Sequence, residues 1–422
     1  MSIEHEGPGA LVILANFVSP LAVDLAEKTV LRQWAEQAPR KLWLTRPGDV
    51  LITPIPLSDP FRRYVFERLG VPEESVDIVT VPDTPHLPMA QALSEHNLLE
   101  PLRALVDNRP TARLLPTALD EAAAALASDL RIPVVPYETG VPSPGTLRSV
   151  AAMNTKSGFR AVAQTLGLRL PEGRVCNGAE LEQTASALLA CHEQVVLKTD
   201  RSAGGHGLHF VSRGDLPPTP SPPPDSRWVV EEYVEHTRAV SAQGHVSATR
   251  VEMTYDGEMR MSGGSFAGYC SPLQDLPEKT REKLTQWTLA LGSHLAAEGY
   301  RGPYSLDAVC TQHGRLHALE CNVRRTATTT AHAIVTRLTG GDRSAWSTGT
   351  ATAGVPKSFD EAVSHLVEAG LDFHPGDFEG VLLYADRPLD GRSWRYAALA
   401  PTHNRLTELE VRLAAALGHE EF

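Results

Sequence analysis

Cysteine is scarce and poorly placed for a scaffold: Cys176, Cys191, Cys270, Cys310 and Cys321 are odd in number and show no Cys-x-x-Cys spacing. That argues against a zinc site and against a secreted disulfide framework, and a reducing cytoplasm fits best. Long apolar runs are missing too. No stretch approaches the roughly 18 residues that a membrane helix requires, and the run Leu11 to Val18 follows Glu4 and Glu6 where a signal peptide would carry positive charge. It reads as a buried strand. Positive charge is in deficit, with 39 basic against 51 acidic residues and a formal charge of -12. No stripe of Lys or Arg tracks a phosphate backbone or an anionic bilayer, so neither nucleic acid nor membrane is an expected partner. Common catalytic signatures are lacking as well. There is no Gly-Lys dipeptide for a Walker A loop, no third glycine after Gly205-His206-Gly207 for a dinucleotide fingerprint, and no His-Glu-x-x-His. Gly263 to Ala267 has alanine where a hydrolase elbow needs its last glycine.

What is present is an ordinary globular chain of 422 residues, 42% hydrophobic and 21% charged, long enough for roughly two to four domains. Residues 9 to 82 alternate apolar runs (Ala10 to Phe17, Lys41 to Thr45, Val50 to Pro54, Val76 to Val81) with helical patterns (Ala22 to Gln37, Pro60 to Leu69), which implies a parallel sheet. Alanine- and leucine-rich residues 92 to 130 read as two more helices, and the proline-punctuated strip Ile132 to Gly145 as a boundary. Next, Asn154 or Thr155 can cap a helix with Phe159, Val162, Ala163 and Leu166 on one face and Gly167 as its stop. Strands are expected at Val195 to Thr199 and Trp228 to Val234, separated by a proline-rich surface loop, Leu216 to Ser226. A strand pair (Thr249 to Tyr255, Met259 to Gly263), a helix Pro277 to Ala297 and a hairpin Tyr304 to Asn322 follow, and the tail from about Thr350 reads as a small α+β cap.

Lysine is rare, seven against 32 arginines, so each survivor is informative. Lys198 ends a strand and leads into Thr-Asp-Arg-Ser-Ala-Gly-Gly-His-Gly, where an ammonium sits beside many backbone N–H donors; this suits a phosphate. In the hairpin, a two-residue turn at His313-Gly314 would put Asp307 opposite Glu320, with Asn322 on the same face. Like charges facing each other ask for a cation, and oxygen-only ligands suit Mg²⁺ shared with substrate phosphates. Arg324 and Arg325 follow at once, guanidinium groups fitted to a carboxylate or a transferring phosphoryl oxygen.

In this order, over roughly 190 residues, these parts resemble the ATP-grasp superfamily of ADP-forming carboxylate ligases. The resemblance implies that Lys156 and Lys198 are the two phosphate lysines and that Ser202, Gly204, Gly205, His206 and Gly207 belong to the phosphate lid. It implies an adenine hinge at Glu231, Glu232, Tyr233 and Val234, with Glu232 and Val234 using backbone groups and Glu231 near the adenine edge. Asp307, Glu320 and Asn322 become the metal ligands, and Arg324, Lys198 and Arg325 the catalytic set. Val240 to Gln243 stands where many members place a ribose-binding acid, so Glu235 is the substitute candidate. The cofactors implied are ATP and Mg²⁺, with Mn²⁺ as a substitute.

The opening LVILANFVSP, the segment KLWLTRPGDVLITP and the small C-terminal region are most similar to pheganomycin-type peptide ligases, which carry a pre-ATP-grasp domain. The implied architecture is a Rossmann-like parallel-sheet pre-ATP-grasp domain (1–145), an ATP-grasp domain (146–345) and a small C-terminal α+β domain (346–422). Within the second, a lid occupies about 170–228 and the metal and catalytic part about 229–345. The implied activity joins a small amino-acid-like carboxylate to the amine of a peptide through an acyl phosphate, and a homodimer is compatible with it. A carboxylase-like ATP-grasp enzyme and a non-catalytic nucleotide-binding regulatory module are the competing readings.

Overall fold

Four short runs lie side by side and parallel: β1 (Leu11–Leu14), β2 (Val50–Thr53), β3 (Asp77–Thr80) and β4 (Arg113–Pro116), in the order β3-β2-β1-β4. The computed structural model describes residues 9–23, 31, 34–81, 87–138, 140–202, 207–214, 222–263, 265–341 and 345–418. The helix expected over Ala22 to Gln37 and the proline-rich loop lie largely outside them. Parallel neighbours need crossovers, and helices Asp59–Leu69, Met89–Glu95 and Leu99–Asp107 supply them. The first is capped by Ser58, whose side chain accepts from the Phe61 amide, and stopped by Gly70 at φ 60°.

Two expectations are corrected here. Lys41 to Thr45 is not a strand: Pro39 opens a 3₁₀ helix over Ala38–Leu44 whose seven residues are all buried. The stretch 92 to 130 holds a strand as well as helices, because Arg113–Pro116, though only four residues long, pairs along all of β1.

A second, antiparallel sheet is built from β5 (Gly173–Asn177), β6 (Gln194–Thr199), β7 (Leu208–Ser212) and β8 (Arg227–Glu232) in the order β5-β8-β6-β7. Helix Leu181–Leu189 lays Leu181, Ala185 and Leu188 on its apolar face, where they join Val195, Leu197, Trp228 and Val230.

The third sheet has eight strands, β9 (Arg238–Val246), β10 (Val251–Ser262), β11 (Ser265–Ser271), β12 (Gly302–Cys310), β13 (Leu316–Asn322), β14 (Ala345–Thr352), β15 (Gly380–Leu383) and β16 (Ser393–Ala400). Their order is β13-β12-β9-β10-β11-β14-β16-β15, so the C-terminal strands extend the sheet that holds the hairpin. Helix Glu278–Ala297 packs Leu284, Trp287, Leu291 and Leu295 against Val240, Ala242 and Leu306. Two strands expected from residues 249 to 263 are one, β10. Asp256-Gly257 looks like a turn signal but lies mid-strand. Asp256 accepts from the Leu273 amide (3.0 Å) and from Arg281 (2.8 Å), and a Cβ on Gly257 would come within 2.4 Å of the Tyr269 ring. Among the described residues no helix is long and apolar enough to cross a membrane.

The hairpin differs from its expected form in two places that cancel. Thr311 and Arg315 close a three-residue loop in which Gly314 takes φ 74°, so Cys310 faces Leu316, one residue off the two-residue-turn register. A bulge at Leu319 then restores the offset, and Asp307 faces Glu320 as expected.

Candidate active site

The N-terminus of helix Lys156–Thr165 is fastened to the end of β6. Thr155 caps it by accepting from the Gly158 amide (3.0 Å), while the amides of Lys156 and Ser157 donate to the main chain (3.0 Å) and side chain (2.8 Å) of Asp200. This brings Lys156 beside Lys198. Lys156 Nζ donates to Ser202 Oγ (2.9 Å) and lies 3.6 Å from Glu320. Burial lowers its pKa, Glu320 opposes the shift and Lys198 adds to it. Lys198 is ion-paired with Glu231, whose other oxygen accepts from Arg160 Nη1 (2.8 Å). All three side chains are buried. Arg160, one turn after Lys156, also donates to the carbonyls of Pro171 (3.0 Å) and Gly173 (2.9 Å) and so locks the helix to β5 and β8. The Glu231 carboxylate, expected at an adenine edge, is thus committed to two cations.

Beyond β8 the chain leaves the ladder. The Glu232 amide donates to Glu172 (2.7 Å) and that of Tyr233 to Gln194 (2.9 Å), whereas the Val234 amide has no partner among the described residues. Val234 is therefore free to donate to a ligand edge. Glu235 is exposed and does not line the cavity. Gly204, Gly205 and His206 lie outside the described residues. Gly207, at φ 71°, passes so near Thr199 that a Cβ would fall 2.4 Å from its hydroxyl.

On the facing wall, Asp307 accepts from Ser241 Oγ (2.6 Å) and from Asn322 Nδ2 (3.1 Å), and Gln243 donates to Ser241 (2.7 Å). Ser241 and Gln243 sit on β9 directly across from Asp307 and Ser305. Burial, and then the Glu320 charge, push the Asp307 carboxyl well above the usual carboxylate range. Two opposed carboxylates with one forced towards neutrality are what a divalent cation would relieve. Among the described residues no cluster of three or more His, Cys, Asp or Glu exists that could hold a metal alone. An ion here would take Asp307, Glu320 and the Asn322 oxygen, leaving further positions to phosphate oxygens and water.

Arg324 donates from Nη2 to Asn322 Oδ1 (2.6 Å), and its buried Nε has no hydrogen-bond partner. Arg325 is corrected. Its amide donates to the Thr117 carbonyl (2.9 Å) and its Nη1 to that of Pro116 (3.0 Å), so it anchors the end of β4 and stays out of the cavity.

Lys156, Lys198, Ser202, Glu231 to Val234, Asp307, Glu320, Asn322 and Arg324 therefore line one cavity of about 750 Å³ between the second and third sheets, to which Phe17 and Arg40 of the N-terminal part also contribute. Arg160, Ser241 and Gln243 were missed. Arg160 was signalled by its i+4 spacing from Lys156, whereas Ser241 needed the β9–β12 register.

Residues 38–132 match the model of the Pre ATP-grasp domain family. No curated protein matches the chain in sequence. Solved structures are similar over nearly the whole chain. The N5-carboxyaminoimidazole ribonucleotide synthetase of Thermus thermophilus has a TM-score of 0.60 at 15% identity, covering 98% of this chain and 99% of its own. The N5-carboxyaminoimidazole synthase of Aspergillus clavatus, in complex with ADP and 5-aminoimidazole ribonucleotide, has a TM-score of 0.60 at 11% identity, with coverage of 97% and 98%. A biotin carboxylase–ATP complex from Campylobacter jejuni also has a TM-score of 0.60, at 14% identity, with coverage of 95% and 90%. Residues 38–132 thus match a pre-ATP-grasp domain, and the chain as a whole has the fold of these ribonucleotide synthetases and of biotin carboxylase.

Proposed function

We propose that the chain is an ATP-dependent, ADP-forming ligase that joins a carboxylate to an amine through an acyl phosphate. The observation that carries this reading is the convergence on one cavity of two buried lysines, an opposed carboxylate pair and Arg324. A triphosphate would lie between Lys156 and Lys198, with its base towards the unpaired Val234 amide. Bound by Asp307, Glu320 and Asn322, Mg²⁺ would neutralise charge on the phosphoryl oxygens. The protein's own part is positional: Lys198 draws charge off the phosphoryl group, Arg324 orients the carboxylate, and the β5–β8 sheet covers the site against water. On this reading 1–145, 146–345 and 346–422 divide the chain, with 170–228 as the lid. The preferred substrates are a small amino-acid-like carboxylate and a peptide amine, as in natural-product assembly.

The test is phosphate release from ATP by the full chain over a matrix of carboxylates, amines and peptides. Release that needs both an added carboxylate and an added amine supports the ligase. The similarity to carboxyaminoimidazole ribonucleotide synthetases and biotin carboxylase favours a second reading, in which bicarbonate is the carboxylate; release that needs bicarbonate would select it. Binding of ATP without release under any condition would select a regulatory module.

Two residue roles can be separated in the same assay. Arg324→Lys should be nearly as damaging as Arg324→Ala, each losing on the order of 10²-fold in kcat/KM, because an ammonium cannot reproduce the guanidinium fork. Full rescue by lysine would mean that only charge matters. Lys156→Ala should instead raise the Kd for ATP about tenfold or more, read by calorimetry. Unchanged affinity would remove Lys156 from the nucleotide site.

A further inference from the structure

Every carboxylate lining the cavity has a partner. Glu231 holds Lys198 and Arg160, Glu232 accepts from the Glu172 amide (2.8 Å), Asp307 accepts from Ser241 and Asn322, and Glu320 faces Lys156. The lining cations do not balance in the same way. Arg40, on the 3₁₀ helix of the pre-ATP-grasp domain, is 1% exposed, yet its Nε and Nη1 have no hydrogen-bond partner. Only its Nη2 is engaged, with the neutral Gln37 amide, and the guanidinium sits over the rings of Phe17 (4.5 Å) and Tyr384 (5.9 Å). Among the described residues no carboxylate pairs with it. Burial lowers its pKa to about 10; the Tyr384 hydroxyl opposes that shift and the second cation, Arg395 on β16, adds to it. Arg395 also lines the cavity, and its side chain makes no hydrogen bond or ion pair among the described residues. Around this pair the lining includes Trp34, Gln37, Thr350 and Tyr384, with no acid among the described residues.

A buried guanidinium with two idle donors is strongly unfavourable unless an anion arrives to take them. A cation–π box lessens that penalty but leaves the N–H groups unmet. Arginine's fork fits an oxyanion in two-point fashion.

We infer that Arg40 and Arg395 bind an oxyanion on the substrate, apart from the carboxylate that reacts, so that the preferred substrate carries a second anionic group at the pre-ATP-grasp end of the cavity. The inference rests on the ligase reading for what happens at the other end, but the binding site stands on its own. Carboxylate and phosphate share the required chemistry.

The experiment titrates the full chain with succinate, with inorganic phosphate and with neutral succinamide at constant ionic strength, following thermal melting, and repeats each titration for Arg40→Met and Arg395→Met. The expected result is stabilisation of the wild type by at least one anion and not by succinamide. Each variant should weaken the apparent anion affinity about tenfold or more, with the Kd for Mg·ATP unchanged. The tighter anion identifies the group as carboxylate or phosphate. If Arg40→Met does not fold, Arg395→Met, at a half-buried position on β16, decides. The inference is overturned if neither anion stabilises the wild type, if both variants respond as the wild type does, or if ATP affinity falls in parallel, since the anion would then be sampling the nucleotide end. Absence of ATP turnover would sink the ligase reading without altering these melts.

Discussion

Glu320→Gln is expected to remove nearly all turnover while leaving a folded protein of almost unchanged apo stability. Glu320 faces Asp307 across β12 and β13; among the described residues it forms an ion pair with Lys156 at 3.6 Å and also feels the nearby Arg324 charge, with about a third of the Glu320 side chain exposed. An ion pair so open to solvent is worth about 0–1 kcal/mol, and removing the charge also ends the repulsion that pushes Asp307 upward. The two effects oppose each other, so the apo protein should melt within a few degrees of the wild type. On the proposed metal site, turnover should behave differently. A neutral amide leaves the ion short of a charged ligand and the triphosphate poorly neutralised, so kcat/KM should fall on the order of 10²-fold or more and the Mg²⁺ needed for half-activity should rise. Melts with and without Mg·ATP read both halves. Equal stabilisation of variant and wild type by Mg·ATP, or activity at ordinary Mg²⁺, would contradict the metal assignment.

Lys198→Ala should lose on the order of 10²–10³-fold in kcat/KM, the range seen when one preorganised donor to developing charge is removed. Its folded state should survive for a specific reason. Glu231 would otherwise be left as a lone buried carboxylate, a change that typically costs about 3–5 kcal/mol. Here Arg160 still donates to it at 2.8 Å and is itself held by two carbonyls. Loss of one of two charged partners should lower stability by about 1–3 kcal/mol, measured by urea unfolding. Near-normal turnover would remove Lys198 from the phosphate site. Failure to fold would mean that Arg160 does not suffice.

Much of the scaffold was legible because it follows local rules. Thr155 and Gly167 bracket their helix as their residue types suggest, and the βαβ alternation of residues 9 to 82 gives the parallel sheet. The Asp307–Glu320 pairing came out correct through two compensating departures, a loop one residue longer and a bulge at Leu319, neither of which has a readable signal. What failed depended on tertiary placement. Asp256-Gly257 has the composition of a turn, but Arg281 and the Leu273 amide occupy the aspartate while Tyr269 presses on the glycine. Arg324 and Arg325 are adjacent and chemically identical, yet at the bend after β13 one side chain turns into the cavity and the other onto Pro116. Arg40 was invisible for a similar reason. Its strand-like surroundings wind into a 3₁₀ helix, and only the folded chain brings it opposite Arg395.

The central claim is that a carboxylate oxygen attacks phosphorus at this site, and isotope transfer tests it most directly. A carboxylate that supports phosphate release is labelled with ¹⁸O in both oxygens and turned over with ATP, Mg²⁺ and amine in ordinary water, and the released phosphate is analysed by mass spectrometry or ³¹P NMR. Passage through an acyl phosphate predicts one ¹⁸O in each phosphate, because the attacking oxygen leaves with the phosphoryl group when the amine displaces it. Phosphate free of label, formed at the same rate as product, would contradict the account.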